Sequence, residues 1–280
     1  MALIASRNKA GQTGSPNTIA PVRSATGMRT LSALEFAALL PPAAVAVFER
    51  GWEWLWILGI AVFAVLIWQR IFAEVRGRPF NPDGIVTALA CAIVLPASTS
   101  LWQVTLALSF GIVIGQEIFG GRGRNFVNPA TVALAFFVFS FPATPFDMLT
   151  PALGLSVVPG ALLMIAGGLI SWRIIVGAVA GLLLGTLATT SGLPQSTMPF
   201  AGFLFGLVFL AADPVAAAST NPGRWVSGAL FGATAALLAG TEPPKMEAIV
   251  SAALLASIFA PLIDSGVLAV KTYQRERRHG

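Results

Sequence analysis

Charge is scarce in this chain. Asp, Glu, Lys and Arg together make up 10% of its 280 residues, against roughly a quarter in an ordinary soluble domain. Such a surface excludes a free-standing soluble enzyme. Cysteine occurs once, at Cys91, which rules out an internal disulfide and any iron–sulfur or zinc cluster held by this chain alone. Histidine also occurs once, at His279, so a bis-histidine haem within the chain is excluded. No catalytic residue and no metal site is expected. Electron handling would require an organic cofactor or a ligand shared with a partner. Residues 1–30 lack the apolar stretch of a signal peptide and carry Arg7, Lys9, Arg23 and Arg29. They are expected to form a disordered cytoplasmic tail.

What is abundant is apolar sequence, at 56% of residues. Windows such as Trp52–Phe72 (WEWLWILGIAVFAVLIWQRIF) exceed the ~18 residues that read as a membrane span. The 28 glycines and 19 prolines would break soluble helices, but membrane helices tolerate them because neighbouring segments re-satisfy freed backbone groups. The sequence reads as an all-α polytopic membrane protein. Its pI near 10.3 does not indicate nucleic acid, because the basic residues lie in tails and short loops, where they orient spans in a lipid bilayer.

Ten apolar segments are expected, at about 31–48, 52–73, 83–96, 100–119, 127–142, 153–171, 172–191, 200–213, 223–241 and 246–265. Gly84–Leu95 would make only about 18 Å of helix, well short of a ~30 Å hydrocarbon core, and 127–142 and 200–213 are also short. These are expected to be half-helices packed inside protein. With both termini in the cytoplasm and ten crossings, fifteen of the 17 basic residues fall inside and only Arg50 and Lys245 outside, a strong positive-inside bias. An internal repeat adds to this. Leu95-Pro96, Trp102 and Phe141-Pro142 in the first half are echoed by Asp213-Pro214, Trp225 and Ala260-Pro261 in the second. Five segments per half invert the second copy, which points to a site at the repeat interface. The expected organisation is a transmembrane domain over 31–268, with repeat one at 31–142 and repeat two at 153–265, followed by a basic cytoplasmic tail at 269–280.

The stretch Gly120–Phe137, GGRGRNFVNPATVALAFF, is a polar bend that runs straight into apolar sequence. A dinucleotide fingerprint is excluded: the third glycine is missing and a span, not a strand, precedes it. A tight turn entering a half-helix remains, with Asn128 as N-cap and Pro129 at the first helical position. The free N–H groups of that helix start, with Arg122 and Arg124 nearby, would seat a polar or anionic group.

The run WQVTLALSFGIVIGQEIFGGRGRNFVNPATVALAFFVFSFPA (102–143) resembles the core motif of a homologous pair. These are the B subunit of the sodium-translocating NADH:quinone reductase and the D subunit of the Rnf electron-transport complex. FGLVFLAADPVAAASTNPGRW (205–225) and IFAPLIDSGV (258–267) resemble that family's other signatures, and the likeness spans roughly residues 80–270. It implies a urea-transporter-like fold of two inverted five-segment repeats. It also implies a non-autonomous subunit that works with other membrane subunits of an Rnf/Nqr-like complex in the bacterial inner membrane. The implied cofactors are riboflavin and FMN, with Na⁺ or H⁺ as the translocated ion. Carried over by position, Asn125 and Asn128 would line a flavin site, with Gly121, Gly123 and Pro129 of the same turn as further candidates, and Glu117, Asp213 and Asp264 would serve an ion pathway. The family's FMN-attachment motif, Ser/Thr-Gly-Ala-Thr, does not occur in TPALGLSVVPGALLMIAGG (150–168), so the flavin expected here is non-covalent.

Blander readings stand beside these. Asn128 and Pro129 also suit a purely structural cap, and Arg122 and Arg124 suit topological anchors. Glu117 suits an ion pair with either arginine, Asp213 a turn cap, and Asp264 a surface ion pair with the basic tail. Asn81-Pro82 and Asn221-Pro222 read as further caps, and Phe136, Phe137, Phe139 and Phe141 as packing and lipid contact. Glu35, inside the first span, is a buried acid whose partner the spacing does not reveal. Two other function classes fit the same scaffold: a small-solute channel or secondary transporter without redox activity, and a purely structural assembly subunit.

Overall fold

A computed structural model describes residues 25–189, 200–240 and 245–279. Ten helices are formed among them: α1 (Ala25–Arg50), α2 (Glu53–Val75), α3 (Ile85–Val94), α4 (Leu101–Ile112), α5 (Pro129–Ser140), α6 (Pro151–Ala166), α7 (Trp172–Thr189), α8 (Phe200–Phe205), α9 (Asn221–Ala239) and α10 (Met246–His279). Helix α4 continues as a π turn, Val113–Glu117, and α8 as another, Gly206–Ala211. Four helices are long and apolar enough to cross a membrane, and α3, α5, α6 and the α8 unit are shorter apolar pieces. The molecule is a polytopic, all-helical membrane protein. The ten expected segments match these elements. The first helix starts earlier than expected, so residues 25–30 are helical, and the tail proper, 1–24, lies outside the described residues. The last helix runs on to His279, so the basic tail expected at 269–280 is helical over its described part.

Caps set where the pieces begin. Asn128 Oδ1 accepts from Ala130 N at 2.8 Å, Thr150 Oγ1 from Leu153 N at 3.1 Å, and Thr220 Oγ1 from Gly223 N at 3.1 Å. Each cap is followed by a proline at the first or second helical position, where the missing N–H costs nothing. Two expected caps are corrected. Thr220, not Asn221, caps α9, because its hydroxyl reaches the third helical amide while Asn221 is already helical. Asn81 Nδ2 instead donates to Asp83 Oδ2 at 3.2 Å, and α3 begins at Ile85, preceded by Gly84, which offers no side-chain cap.

The repeat is visible in how helices pair. Helix α1 packs on α3 as α6 packs on α8, and α2 on α4 as α7 on α9. Likewise α4 packs on α5 as α9 on α10, and α3 on α5 as α8 on α10. Across the interface α1 meets α6, and α5 meets α10. Long-range hydrogen bonds sort the loops into two ends. Arg50 donates to Leu95 O at 2.8 Å, Phe146 N to Glu247 Oε1 at 3.0 Å, and Thr150 Oγ1 to Glu49 Oε1 at 2.6 Å. These define the end opposite the glycine-rich turn, and they hold Arg50, one of the two basic residues assigned outside.

The tightest seam is α7 on α9. A methyl group on Gly177 would stand 2.6 Å from Trp225 O, and one on Gly185 2.7 Å from Ala236 Cβ; Gly181 faces Ala229 O, and Gly228 and Gly232 face the carbonyls of Ile174 and Ala178. Lipid tails are as apolar as leucine, so helices in a bilayer gain by close backbone packing, and small residues four apart permit it. Gly59, by contrast, is exposed on the outer face of α2 and faces nothing within 4 Å. Gly232→Leu is therefore expected to destabilise the fold by about 1–3 kcal/mol or more, while Gly59→Leu shifts it by less than about 0.5 kcal/mol. Thermal unfolding of the two variants in detergent checks this, and equal shifts would contradict it.

Candidate functional site

The turn after α4 is built on glycine. Gly120, Gly121 and Gly123 have φ of 105°, 94° and 90°, conformations an L side chain rarely adopts. Asn125 then closes the turn on itself: its Oδ1 accepts from Gly123 N at 3.1 Å, and its Nδ2 donates to Val127 O at 2.8 Å. Asn128 caps α5 and also donates through Nδ2 to Phe209 O at 2.8 Å. Phe209 lies in the second π turn, where carbonyls fall out of the regular helical ladder. That single bond ties the half-helix of one repeat to the half-helix of the other.

Arg122 turns inward and forms an ion pair with Glu35 of α1; the two side chains are 4% and 5% exposed. The anchor reading of Arg122 is therefore corrected: its guanidinium is in the protein interior. Arg124 is exposed, at the surface of the turn.

The corresponding turn of the second repeat is held by two acids. Asp213 Oδ1 accepts from Val215 N at 2.7 Å and Ala216 N at 3.2 Å, the turn-cap geometry. Asp264 of α10 accepts from Ser219 N (2.7 Å) and Oγ (2.8 Å) and from Thr220 N (3.0 Å) and Oγ1 (2.5 Å). Among the described residues it forms no ion pair, so the expected surface pair is replaced by a clasp on the loop. Asp264 has polar backbone and hydroxyl donors directly opposite it, whereas the basic residues follow one or more turns further along α10.

The two turns and α10 enclose a cavity of about 660 Å³, lined by Arg122–Phe126, Val215–Ala217, Ser219, Ala260, Pro261 and Asp264. Phe126 packs edge-on to Phe119, ring centroids 4.9 Å apart. Deeper lies a second, much smaller cavity of about 20 Å³, bounded by α1, α3, α5, α6 and the second π turn, with Glu35, Arg122, Asn128 and Asp213 on its wall. Of the expected site residues, Gly123, Asn125 and Asp264 line the larger cavity, and Asn128 and Asp213 the smaller. Gly121, Pro129 and Glu117 line neither. Pro129 lies against Gly115 of the π turn that continues α4.

Glu117 belongs to a separate polar cluster. Its partner is Arg76, with Nη1 at 3.5 Å from Glu117 Oε2, not Arg122 or Arg124. Arg76 also donates to the Glu117 carbonyl. Gln116 Nε2 bridges Glu117 Oε1 at 3.2 Å and Asp83 Oδ1 at 3.1 Å, and Gln69 Nε2 donates to Asp83 at 2.5 Å. Among the described residues no group of three or more His, Cys, Asp or Glu is placed to hold a metal ion. The aromatic run is packing. Phe136 stacks on Phe110 at 4.4 Å, and Phe141 meets Trp102 at the start of α4, at the far end from the turn.

A model of the NQR2, RnfD, RnfE family matches residues 17–152 and 148–272. The chain belongs to this family. Among curated members it is similar to the B subunit of the Na⁺-translocating NADH-quinone reductase of Pseudomonas paraeruginosa, 34% identical over 269 residues covering 76% of this chain and 66% of the relative. The corresponding protein from Chromohalobacter salexigens, of the same name, is 32% identical over 307 residues, covering 90% of this chain and 75% of the relative. The chain thus spans about two thirds to three quarters of the length of these family members. Because 269 aligned positions cover only 76% of 280 residues, the relative carries extra residues within the matched region. The structure adds residues that sequence reading passed over: Phe126, Val215–Ala217, Ala260 and Pro261 as cavity wall, and Asp83, Gln69 and Gln116 around Glu117. Only Glu35, a lone acid in an apolar span, announced itself in the sequence.

Removing one partner of a buried ion pair leaves an uncompensated charge and costs about 3–5 kcal/mol, whereas removing both is far cheaper. Arg122→Leu is therefore expected to lower thermal stability strongly, and Glu35→Leu combined with Arg122→Leu to recover most of the loss. Additive losses in the double variant would show that the pair is not coupled.

Proposed function

We propose that this chain is a membrane subunit of a cation-translocating electron-transport complex, and that its larger cavity holds a non-covalent flavin, riboflavin or FMN. The cavity between the two turns and α10 carries this reading. At about 660 Å³ it falls within the ~300–1,000 Å³ of small-molecule sites. One wall offers the Phe126 ring and another the small apolar surface of Val215–Ala217, Ala260 and Pro261. Together they suit a flat aromatic ring. Arg124 at the turn suits a hydroxyl-rich or phosphorylated side chain. A bound flavin supplies electron-transfer chemistry, for which a chain with one cysteine and one histidine has no ligand set of its own. Asn125 and Asn128 spend their side-chain groups on the loop, the helix start and Phe209, so their part is to fix the shape of the turn.

The matched relatives are named for Na⁺ translocation coupled to NADH and quinone, and movement of Na⁺ or H⁺ is proposed here by that likeness. Asp213 and Asp264, on the walls of the two cavities, and Glu117, in its polar cluster, are the candidate acids. Other membrane subunits of an Rnf/Nqr-like complex would supply the electron donor and acceptor sites. The absent Ser/Thr-Gly-Ala-Thr motif in 150–168, and the extra residues present in the relative, favour non-covalent attachment. The proposed location is the bacterial cytoplasmic membrane with both termini inside, based on the fifteen-to-two division of basic residues.

Protein purified in mild detergent, alone or with its complex, is expected to be yellow and to release its flavin on denaturation. Ala217→Trp, which fills the cavity, should lose the flavin while keeping the thermal transition. Colourless protein with an intact transition would overturn the flavin assignment, and flux of a small polar solute in liposomes would then support the channel reading.

A further inference from the structure

The two cavities share one lining residue, Arg122. On one side of its guanidinium is the ~660 Å³ cavity between the turns; on the other is the ~20 Å³ cavity where the half-helices meet. The smaller space has room for about one water molecule. Arg122 thus stands in the wall common to the two spaces.

Glu35 holds Arg122 in that position, as the one described carboxylate within ion-pair range of it. The Arg122 Nε is buried without a hydrogen-bond partner. A buried, unpaired donor is costly, so this arginine is not in a fully satisfied, purely structural setting. Its restraints also come from different elements. Glu35 is on α1, which packs across the interface on α6, whereas Arg122 is on a turn whose glycines give the backbone conformational freedom.

We propose that the Arg122–Glu35 pair is a charged gate separating the large cavity from the repeat interface, closed in this structure. The guanidinium blocks the constriction for as long as Glu35 holds it there; Glu35 also offsets its charge, so the barrier is the pinned side chain itself. Opening requires the arginine to leave Glu35 and swing toward the large cavity, where Asp264 lines the wall. As a route for cations this rests on the translocation reading above. As a partition between two spaces it does not.

The test places single cysteines on the two sides in a Cys91→Ser background. Thr87→Cys lies on the wall of the small cavity, and Ala217→Cys on that of the large one. The probe is the small uncharged thiol reagent methyl methanethiosulfonate, whose approach does not depend on the charge removed in Glu35→Gln, applied to the full chain in proteoliposomes. With the pair intact, Thr87→Cys should react at least about tenfold more slowly than Ala217→Cys. Glu35→Gln should speed Thr87→Cys by about tenfold or more, equivalent to ~1.4 kcal/mol of barrier, and leave Ala217→Cys unchanged. Exchanging the two charges, Glu35→Arg with Arg122→Glu, should restore protection.

Equal rates at the two cysteines with the pair intact would overturn the gate, and that comparison needs no altered pair. An unchanged Thr87→Cys rate in Glu35→Gln would overturn it as well. If the complex moves no cation while Thr87→Cys remains protected by the pair, the translocation reading fails and the partition stands. If cations move and Thr87→Cys is unprotected, the reverse holds.

Discussion

Backbone polar groups inside a bilayer have no water to turn to, and that constraint shapes this molecule. Four of its apolar helical pieces are shorter than a membrane span, so their ends fall where lipid cannot satisfy them. Each end is therefore closed by protein. Asn128 caps α5 and donates across to Phe209 O; Thr220 caps α9; Asp213 and Asp264 gather the amides of the second turn. Folding the two interrupted regions against one another is what makes these partners available. The interface between repeats is polar for that reason before any ligand is considered.

A polar interface inside an apolar body is also where charge can be kept at tolerable cost. Glu35 and Arg122 are buried together, and the cluster of Gln69, Asp83, Gln116, Glu117 and Arg76 occupies a second such place behind α4. The π turns add to this: one presents Gln116 and Glu117, the other presents Phe209 O to Asn128. Both lie next to the bends, where extra backbone turns re-aim side chains toward the interface.

Rigidity comes from elsewhere. The glycine seam of α7 and α9 is packed without room for a methyl group, and the apolar interior around Trp54, Phe137, Phe205 and Phe231 is closed to solvent. The cavity opens between two loops and one helix, not within this packed region. A stiff body that carries a loop-lined cavity at its edge holds the walls of a binding site in place while leaving the site accessible.

The sequence alone determined the solvent, the number of segments and three of the four short ones, because each follows from runs of apolar residues, from length against bilayer thickness, and from proline and asparagine at helix starts; that α6 ends at Ala166 and is short as well was decided by the structure. It also determined that Gly120–Asn128 is a turn entering a half-helix, since glycine accepts the positive φ found there at little cost. Pairing was decided by the tertiary structure. Nothing in the spacing joins Glu35 to Arg122, 87 residues apart, or Glu117 to Arg76 rather than to the nearer Arg122. Nor does it mark Phe126 and Ala217 as walls of one cavity. Local pattern reports the element a residue belongs to, whereas a partner is chosen by where a helix from the other end of the chain comes to rest. A long side chain such as arginine can then reach either water or the core.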